Sequence, residues 1–289
     1  MSDHVNSSGQ LNGIPFAKMT GSGNDFVFFD ARAVDGELLA KPEVIRAICN
    51  RHNGIGADGL VLLEAKPSGA DARIRYYNSD GSAAELCGNA TLCSAAMAVE
   101  LGLGAADALT LWTDAGLIHS RVLLGTPEID LERVSNIDAA APISLKAGES
   151  RIGFALVGVP HLVVLCANVE TIDVHTRGED LRRHAWLGHA GANVNFVSAL
   201  GDGTWRYRTF ERGVEGETLA CGTGSIATGI LLKLWELAAS PINLRTSSGR
   251  SAVITLRVPG DGSAGFLPSL KGEGRVVFRG RTEAIVGAD

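Results

Sequence analysis

A chain of 289 residues, 45% hydrophobic and only 20% charged, is long enough for one large domain or two ordinary ones and apolar enough for a sizeable core, which excludes a disordered protein. A net charge of −6 without any basic cluster excludes a nucleic-acid groove, and 36 glycines suit a loop-rich α/β or β-rich enzyme better than a helical bundle. The five cysteines are odd in number and lack framework spacing, so the chain reads as reduced and cytoplasmic.

In chain order, residues 1–13 read as a disordered polar tail without the charged start and apolar stretch of a signal peptide. Strands are expected at 14–19 and 25–30, a helix at 42–52, and strands at 59–64 and 72–78. The junction Cys87-Gly88 then opens a long apolar helix over about 88–101, and strands at 109–113 and 117–124 close the run. After a boundary near 126–142, the order recurs. It has strands at 151–156 and 161–166, a helix at 178–188, strands at 193–200 and 205–211, a helix over about 222–238, and strands at 242–246 and 251–258. Two last strands, 272–280 and 281–286, fit either half. The longest apolar run, 153–169, contains Pro160 and His161 and falls short of a membrane span.

The recurrence is visible in the letters. "FAKMTG" (16–21) is echoed by "FALVG" (154–158), and "RHNGIGADGLV" (51–61) by "GHAGANVNFV" (188–197), which pairs His52 with His189 and Gly54 with Gly191. "RIRYYN" (73–78) is echoed by "RYRTFE" (206–211), and "ELCGNATLCSAAM" (85–97) by "LACGTGSIATG" (219–229). The offsets run from 206 − 73 = 133 to 154 − 16 = 138 residues, in the same order. Four echoes in register indicate a duplicated domain. We expect an N-terminal repeat domain over 14–133 and a C-terminal one over 134–273, with 274–289 packing back onto the first.

Cys87-Gly88 and Cys221-Gly222 occupy equivalent places, each at the mouth of its repeat's most apolar helix. A helix N-terminus carries unpaired N–H groups and partial positive charge, which favour a thiolate and can hold a carboxylate. The glycine lets a ligand approach the backbone. Two such halves suit a stereoinversion, in which one thiolate removes an α-proton and a second thiol delivers one to the other face. Two other readings are weighed beside it: the cysteines simply pack, or they form a redox disulfide, which no C-x-x-C pattern supports. Cys49, Cys93 and Cys166, among apolar neighbours, read as core residues.

Other patterns carry less. "GIGADG" (54–59) matches a dinucleotide fingerprint but follows a helix and opens a strand, the reverse of what that site needs. "HAWLGH" (184–189) has the wrong spacing for two ligands on one helical face, so no metal is expected. Asn24, Asn78 and Asn193 sit in turns next to strands, where asparagine serves turn chemistry. Glu211-Arg212 ends an alternating strand near Cys221, where it forms a surface ion pair or grips an amino group and a carboxylate.

The motifs "GSGNDFV", "RHNGIGADGL", "YYNSDGS…CGN", "PH", "NVNFV" and "FERGVEGETLACGTG" resemble the diaminopimelate epimerase family along the whole chain after residue 14. The resemblance implies an α/β fold of two pseudo-symmetric domains, each a mostly antiparallel sheet wrapped around a central helix, with the active site in the cleft between them. It implies epimerisation of LL-diaminopimelate to meso-diaminopimelate, a step in lysine and peptidoglycan precursor synthesis. It also implies a small-molecule amino-acid substrate, no cofactor, no metal, no nucleic acid, no membrane and a cytoplasmic homodimer. By the same resemblance Cys87 and Cys221 are the acid–base pair, and His161 and Glu211 tune them. Gly88, Asn89, Gly222 and Thr223 hold the reacting carboxylate through backbone N–H groups. Asn24, Asn78, Asn193, Glu211 and Arg212 hold the amino and distal groups.

The sequence departs from the family pattern at three places. Val159 replaces an asparagine that contacts the distal end of the substrate, Ala90 and Leu92 replace Gly and Arg in "CGNATLC", and "ERGVEGET" is one residue longer. A racemase of another amino acid in the same family is therefore the alternative, and a non-catalytic amino-acid binder the third reading.

Overall fold

The structure is a computed structural model that describes residues 12–65, 68–84 and 86–283. Residues 1–11 of the expected tail and 284–286 of the last expected strand lie outside these. The chain divides into two units, unit 1 from Met1–Ile129 with Glu273–Asp289, and unit 2 from Asp130–Gly272.

In unit 1, β1 (Pro15–Gly21) forms a hairpin with β2 (Asn24–Asp30). α1 (Gly36–Leu39) and α2 (Pro42–Cys49) then carry the chain to β3 (Gly59–Glu64), which runs parallel to β2. β4 (Ala72–Asn78) returns antiparallel to β3 and pairs with the short β5 (Ala83–Ala84). α3 (Gly88–Glu100) crosses over to β6 (Leu109–Thr113), parallel to β4, and β7 (Gly116–Leu123) and β8 (Thr126–Asp130) follow as antiparallel neighbours. The other edge of β1 is filled from far along the chain by β18 (Arg275–Arg281).

β2 and β3 are apolar at consecutive positions because helices cover both of their faces. Alternation divides each strand between two cores. Val27, Phe29, Leu60, Leu62 and Tyr77 pack with Val44, Ile45 and Ile48 of α2. Phe26, Phe28, Val61, Leu63 and Ile74 pack with Ala90, Cys93 and Ala98 of α3.

Unit 2 repeats the plan. β9 (Ile137–Asp138) pairs with β10 (Glu149–Val157), which forms a hairpin with β11 (Val159–Cys166). α4 (Val174–Arg182) leads to β12 (Asn193–Ala199), parallel to β11, and β13 (Trp205–Glu211) returns to pair with β14 (Gly216–Thr218). α5 (Gly222–Leu234) crosses to β15 (Ile242–Arg245), parallel to β13, with β16 (Ser251–Arg257) and β17 (Leu267–Lys271) beyond. Leu162, Val164, Val194, Phe196 and Phe210 pack with Val174 and Leu181 of α4. The intervening residues of the same strands face α5.

The duplication thus extends to strand order and to parallel and antiparallel sense. α1, β5, β8, β9, β14 and β17 lie where no element is expected, and three expected helices have other bounds, of which the one expected at 42–52 stops at Cys49. The helix expected at 178–188 begins at Val174 because the Asp173 carboxylate accepts from Thr176 N (3.1 Å) and Thr176 Oγ1 (2.7 Å) as an N-cap, and "AWL" (185–187) is a separate 3₁₀ turn ended by Gly188 at φ 64°. The helix expected to reach 238 stops at Leu234, where Glu236 turns the backbone to φ 60°.

Candidate active site

Cys87 and Cys221 are the N-cap residues of α3 and α5, at φ −129°, ψ 115° and φ −126°, ψ 117°. Both helices are 13 residues long. Ordinarily a capping side chain takes the orphan N–H groups of the first turn. Here neither cysteine makes a side-chain capping bond. The hydroxyls behind them are duplicated too. Thr91 Oγ1 donates to Cys87 O and Ser225 Oγ to Cys221 O (both 2.9 Å), while Ser94 Oγ donates to Ala90 O and Thr228 Oγ1 to Gly224 O (both 2.8 Å). These inward bonds let small polar residues line a buried helix without unmet donors.

In unit 2 the strand residues that face α5 build a polar chain. His161 Nε2 lies 3.0 Å from Thr223 Oγ1, which lies 3.6 Å from Cys221 Sγ. The geometry fixes the direction of this chain. Asn195 Nδ2 donates to Leu162 O (2.8 Å), so the same amide group is the donor toward His161 Nδ1 (3.3 Å). Nδ1 then accepts, Nε2 carries the proton, and Thr223 is left to donate to the sulfur. Burial first, and the Arg212 charge second, lower the His161 pKa to about 3, so the ring is neutral. On its other side, Asn195 Oδ1 accepts from Tyr207 Oη (2.8 Å) and Thr209 Oγ1 (3.0 Å). Gly224 permits this packing, since a Cβ there would lie 2.3 Å from Asn195 Oδ1 and 2.5 Å from Tyr207 Oη.

The remaining expected residues of unit 2 lie on the same strand ends. His161 and Asn193 are direct partners across β11 and β12. Asn193 Oδ1 accepts from Arg212 N (2.7 Å), Arg212 Nη1 donates to Ala190 O (3.1 Å), and Glu211 Oε1 accepts from Thr218 Oγ1. The extra residue of the 211–218 loop is accommodated by Glu215 at φ 55°, whose Oε1 accepts from Gly213 N (3.1 Å) and Arg182 Nε (2.8 Å). Val159 begins β11, two residues before His161, and is partly exposed.

In unit 1, Asn89 Nδ2 donates to Asn24 Oδ1 (2.7 Å) and Asn24 Nδ2 donates to Asp58 Oδ2 (3.0 Å). Arg51 Nη2 bridges Asp58 Oδ1 and Asp25 Oδ1 (both 2.7 Å), and Lys18 Nζ reaches Asp25 Oδ2 (2.7 Å). Burial alone would raise the Asp25 pKa, but hydrogen bonds and charge from Arg51 and Lys18 outweigh it and hold the group at about 2. Asn24 and Asn89 are therefore anchored by a charged cluster. Asn78 instead turns its Nδ2 to Ser82 Oγ (3.0 Å). Ala90 and Leu92 are 2% and 1% exposed, so these two departures from the family pattern are core residues and read no substrate group.

Burial pushes the Cys49 and Cys166 thiols up to about 12 and Cys93 upward as well, as suits packing residues. Among the described residues no group of three His, Cys, Asp or Glu is placed to hold a metal ion. No helix among them is long and apolar enough to cross a membrane. Asn195, Tyr207 and Thr209 were not singled out from the sequence. The available signal was an asparagine in the middle of the apolar strand "NVNFVSA", two positions from Asn193 and so on its face.

Residues 16–129 and 153–262 match the family described as diaminopimelate epimerase. A diaminopimelate epimerase of Gemmatimonas aurantiaca is 55% identical over 271 residues, covering 92% of this chain and 98% of that protein. One of Aquifex aeolicus is 37% identical over 275 residues, covering 92% and 96%. Among solved structures, a PhzF-family phenazine biosynthesis protein of Bacillus anthracis superposes with TM-score 0.74 at 16% identity, covering 94% of this chain and all 100% of that one. A probable proline racemase from Agrobacterium radiobacter K84 gives 0.66 at 16%, covering 93% of each. At that identity the likeness is one of fold.

Proposed function

Because the chain belongs to the diaminopimelate epimerase family, it is an isomerase that epimerises diaminopimelate, and we propose that Cys87 and Cys221 do so as a two-thiol acid–base pair. The observation that carries this reading is the identical backbone station of the two cysteines, each an N-cap whose side chain leaves the first-turn N–H groups untaken. The N–H groups of Gly88, Asn89, Gly222 and Thr223 hold the substrate carboxylate. One cysteine, as thiolate, takes the α-proton of LL-diaminopimelate. The other, as thiol, gives its proton to the opposite face, leaving meso-diaminopimelate and a thiolate. The reverse reaction exchanges their roles. Only protons move, so neither cofactor nor metal is used.

His161 stays neutral and acts through Thr223 to favour the Cys221 thiolate. Asn24, Asn78, Asn193, Glu211 and Arg212 hold the amino and distal groups. Thiols that must cycle through their thiolates suit a reducing compartment, and we place the enzyme in the cytoplasm on that ground. A homodimer is part of the same reading, supported by the exposed Trp112, Leu117, Leu123 and Leu124 of unit 1, an apolar area that a second copy would cover.

The test is epimerisation in heavy water. Wild-type enzyme is expected to incorporate deuterium at Cα as it turns over, and Cys87→Ala and Cys221→Ala each to lose at least about a hundredfold in rate. Two-way turnover near the wild-type rate by either variant refutes the pair. A second reading, action on another amino acid, is favoured by the apolar Val159, and a panel of L-amino acids beside LL-diaminopimelate decides between them.

A further inference from the structure

The two cysteines share a backbone but not their polar surroundings. Tyr76 lies in β4, on the face that carries Ile74 toward α3. Its ring stands edge-on to Phe26, with centroids 5.9 Å apart and planes at 81°. Tyr76 and Cys87 both pack against the core around α3 and line one small cavity with Val61, Leu86 and Thr91, which sets the phenol beside the sulfur. Gly59 on the neighbouring strand makes room, since a Cβ there would lie 2.6 Å from the Tyr76 ring and 2.9 Å from its hydroxyl.

The second half has no tyrosine at the matching position of its sequence. The residue matching Tyr76 is Thr209, whose hydroxyl donates to Asn195 (3.0 Å). The tyrosine nearby, Tyr207, donates to the carbonyl oxygen of Cys221 (3.3 Å). Burial, with the Cys87 sulfur beside it, keeps the Tyr76 phenol protonated. A protonated phenol beside a thiolate can only donate.

We propose that Tyr76 is a positioning residue for Cys87, whose hydroxyl donates to the sulfur, fixes its orientation and favours the thiolate. This rests on Cys87 being one of the acid–base pair. Tyr76 does for Cys87 what the His161–Thr223 chain does for Cys221, by a different group. The two thiols therefore answer to separate controls.

The experiment is alkylation of the full-length protein by iodoacetamide across pH, with modification of Cys87 and Cys221 read separately by mass spectrometry. Tyr76→Phe keeps the ring and removes the hydroxyl. Cys87 is expected to react about tenfold more slowly at pH 7, its profile shifted up by about one unit, while the Cys221 profile stays in place. Tyr76→Leu, a second variant without a hydroxyl, is expected to slow Cys87 likewise. A Cys87 profile that stays within twofold of wild type in either folded variant overturns the proposal, as does an equal shift of both cysteines. Alkylation reports ionisation whether or not Cys87 turns over substrate. Failure of the acid–base reading would show instead as epimerisation by Cys87→Ala.

Discussion

Replacing Thr223 with valine isolates one link of the chain behind Cys221. Valine keeps the β-branched shape and the backbone N–H, so the mouth of α5 is unchanged. Only the hydroxyl 3.0 Å from His161 Nε2 and 3.6 Å from Cys221 Sγ is lost. A hydrogen bond to a charged group is worth about 1.5–3 kcal/mol. The sulfur contact is long, so the lower end applies, and about 1.5 kcal/mol corresponds to roughly tenfold in rate and about one pKa unit. The assay is kcat/KM in both directions from acid to alkaline pH. Both directions must fall by the same factor, because the overall equilibrium is untouched, and the acid limb should move up by about one unit. The buried His161 also loses a partner, which should lower stability by about 1–3 kcal/mol in urea unfolding. A kcat/KM within about twofold of wild type, some 0.4 kcal/mol, with an unmoved acid limb refutes the relay.

Acid stability follows from the same histidine. Its pKa is about 3 in the folded chain against the ordinary 6.5, so the unfolded form binds a proton first as pH falls. Stability should be complete above about pH 6.5 and decline below it by about 1.4 kcal/mol per unit, and His161→Gln should remove that slope. Equal slopes between pH 6 and 4.5 in the two proteins would show the assignment to be mistaken. Val159→Asn tests the specificity end. It should spare or improve kcat/KM for diaminopimelate and lower it for a substrate with an apolar end, by about tenfold for one hydrogen bond to a charged group. A change below about twofold for every substrate removes Val159 from the specificity site.

Much of this was legible in the letters because the duplication wrote each signal twice. The two Cys-Gly junctions lead apolar helices in sequence and in structure. What stayed hidden has identifiable causes. β8 and β17 are only five residues long, and each carries a proline, Pro127 and Pro268, which argues against a strand. Their likeness, "TPEID" against "LPSLK", is a further and fainter echo. The apolar letters of "HAWLG" suggested a helical face, yet Asp173 had already set the start of α4 one turn earlier than expected. Asn195 and Tyr76 escaped because their roles depend on which neighbour each meets across the sheet. Strand register supplies that information, and a motif does not.

The edge strand beside β1 has a consequence for how the molecule is made. Unit 2 draws its matching edge strand, β9, from its own contiguous stretch of chain, whereas unit 1 waits for β18. On the ribosome all of Asp130–Gly272 is synthesised between β8 and β18. The half that holds Cys87 is thus begun first and finished last, and one side of β1 stays open while the half that holds Cys221 is completed. An open strand edge is a template for wrong pairing. Nascent chains are for that interval most exposed to misassembly at β1, and any lesion near residues 275–281 falls on the half whose synthesis began first.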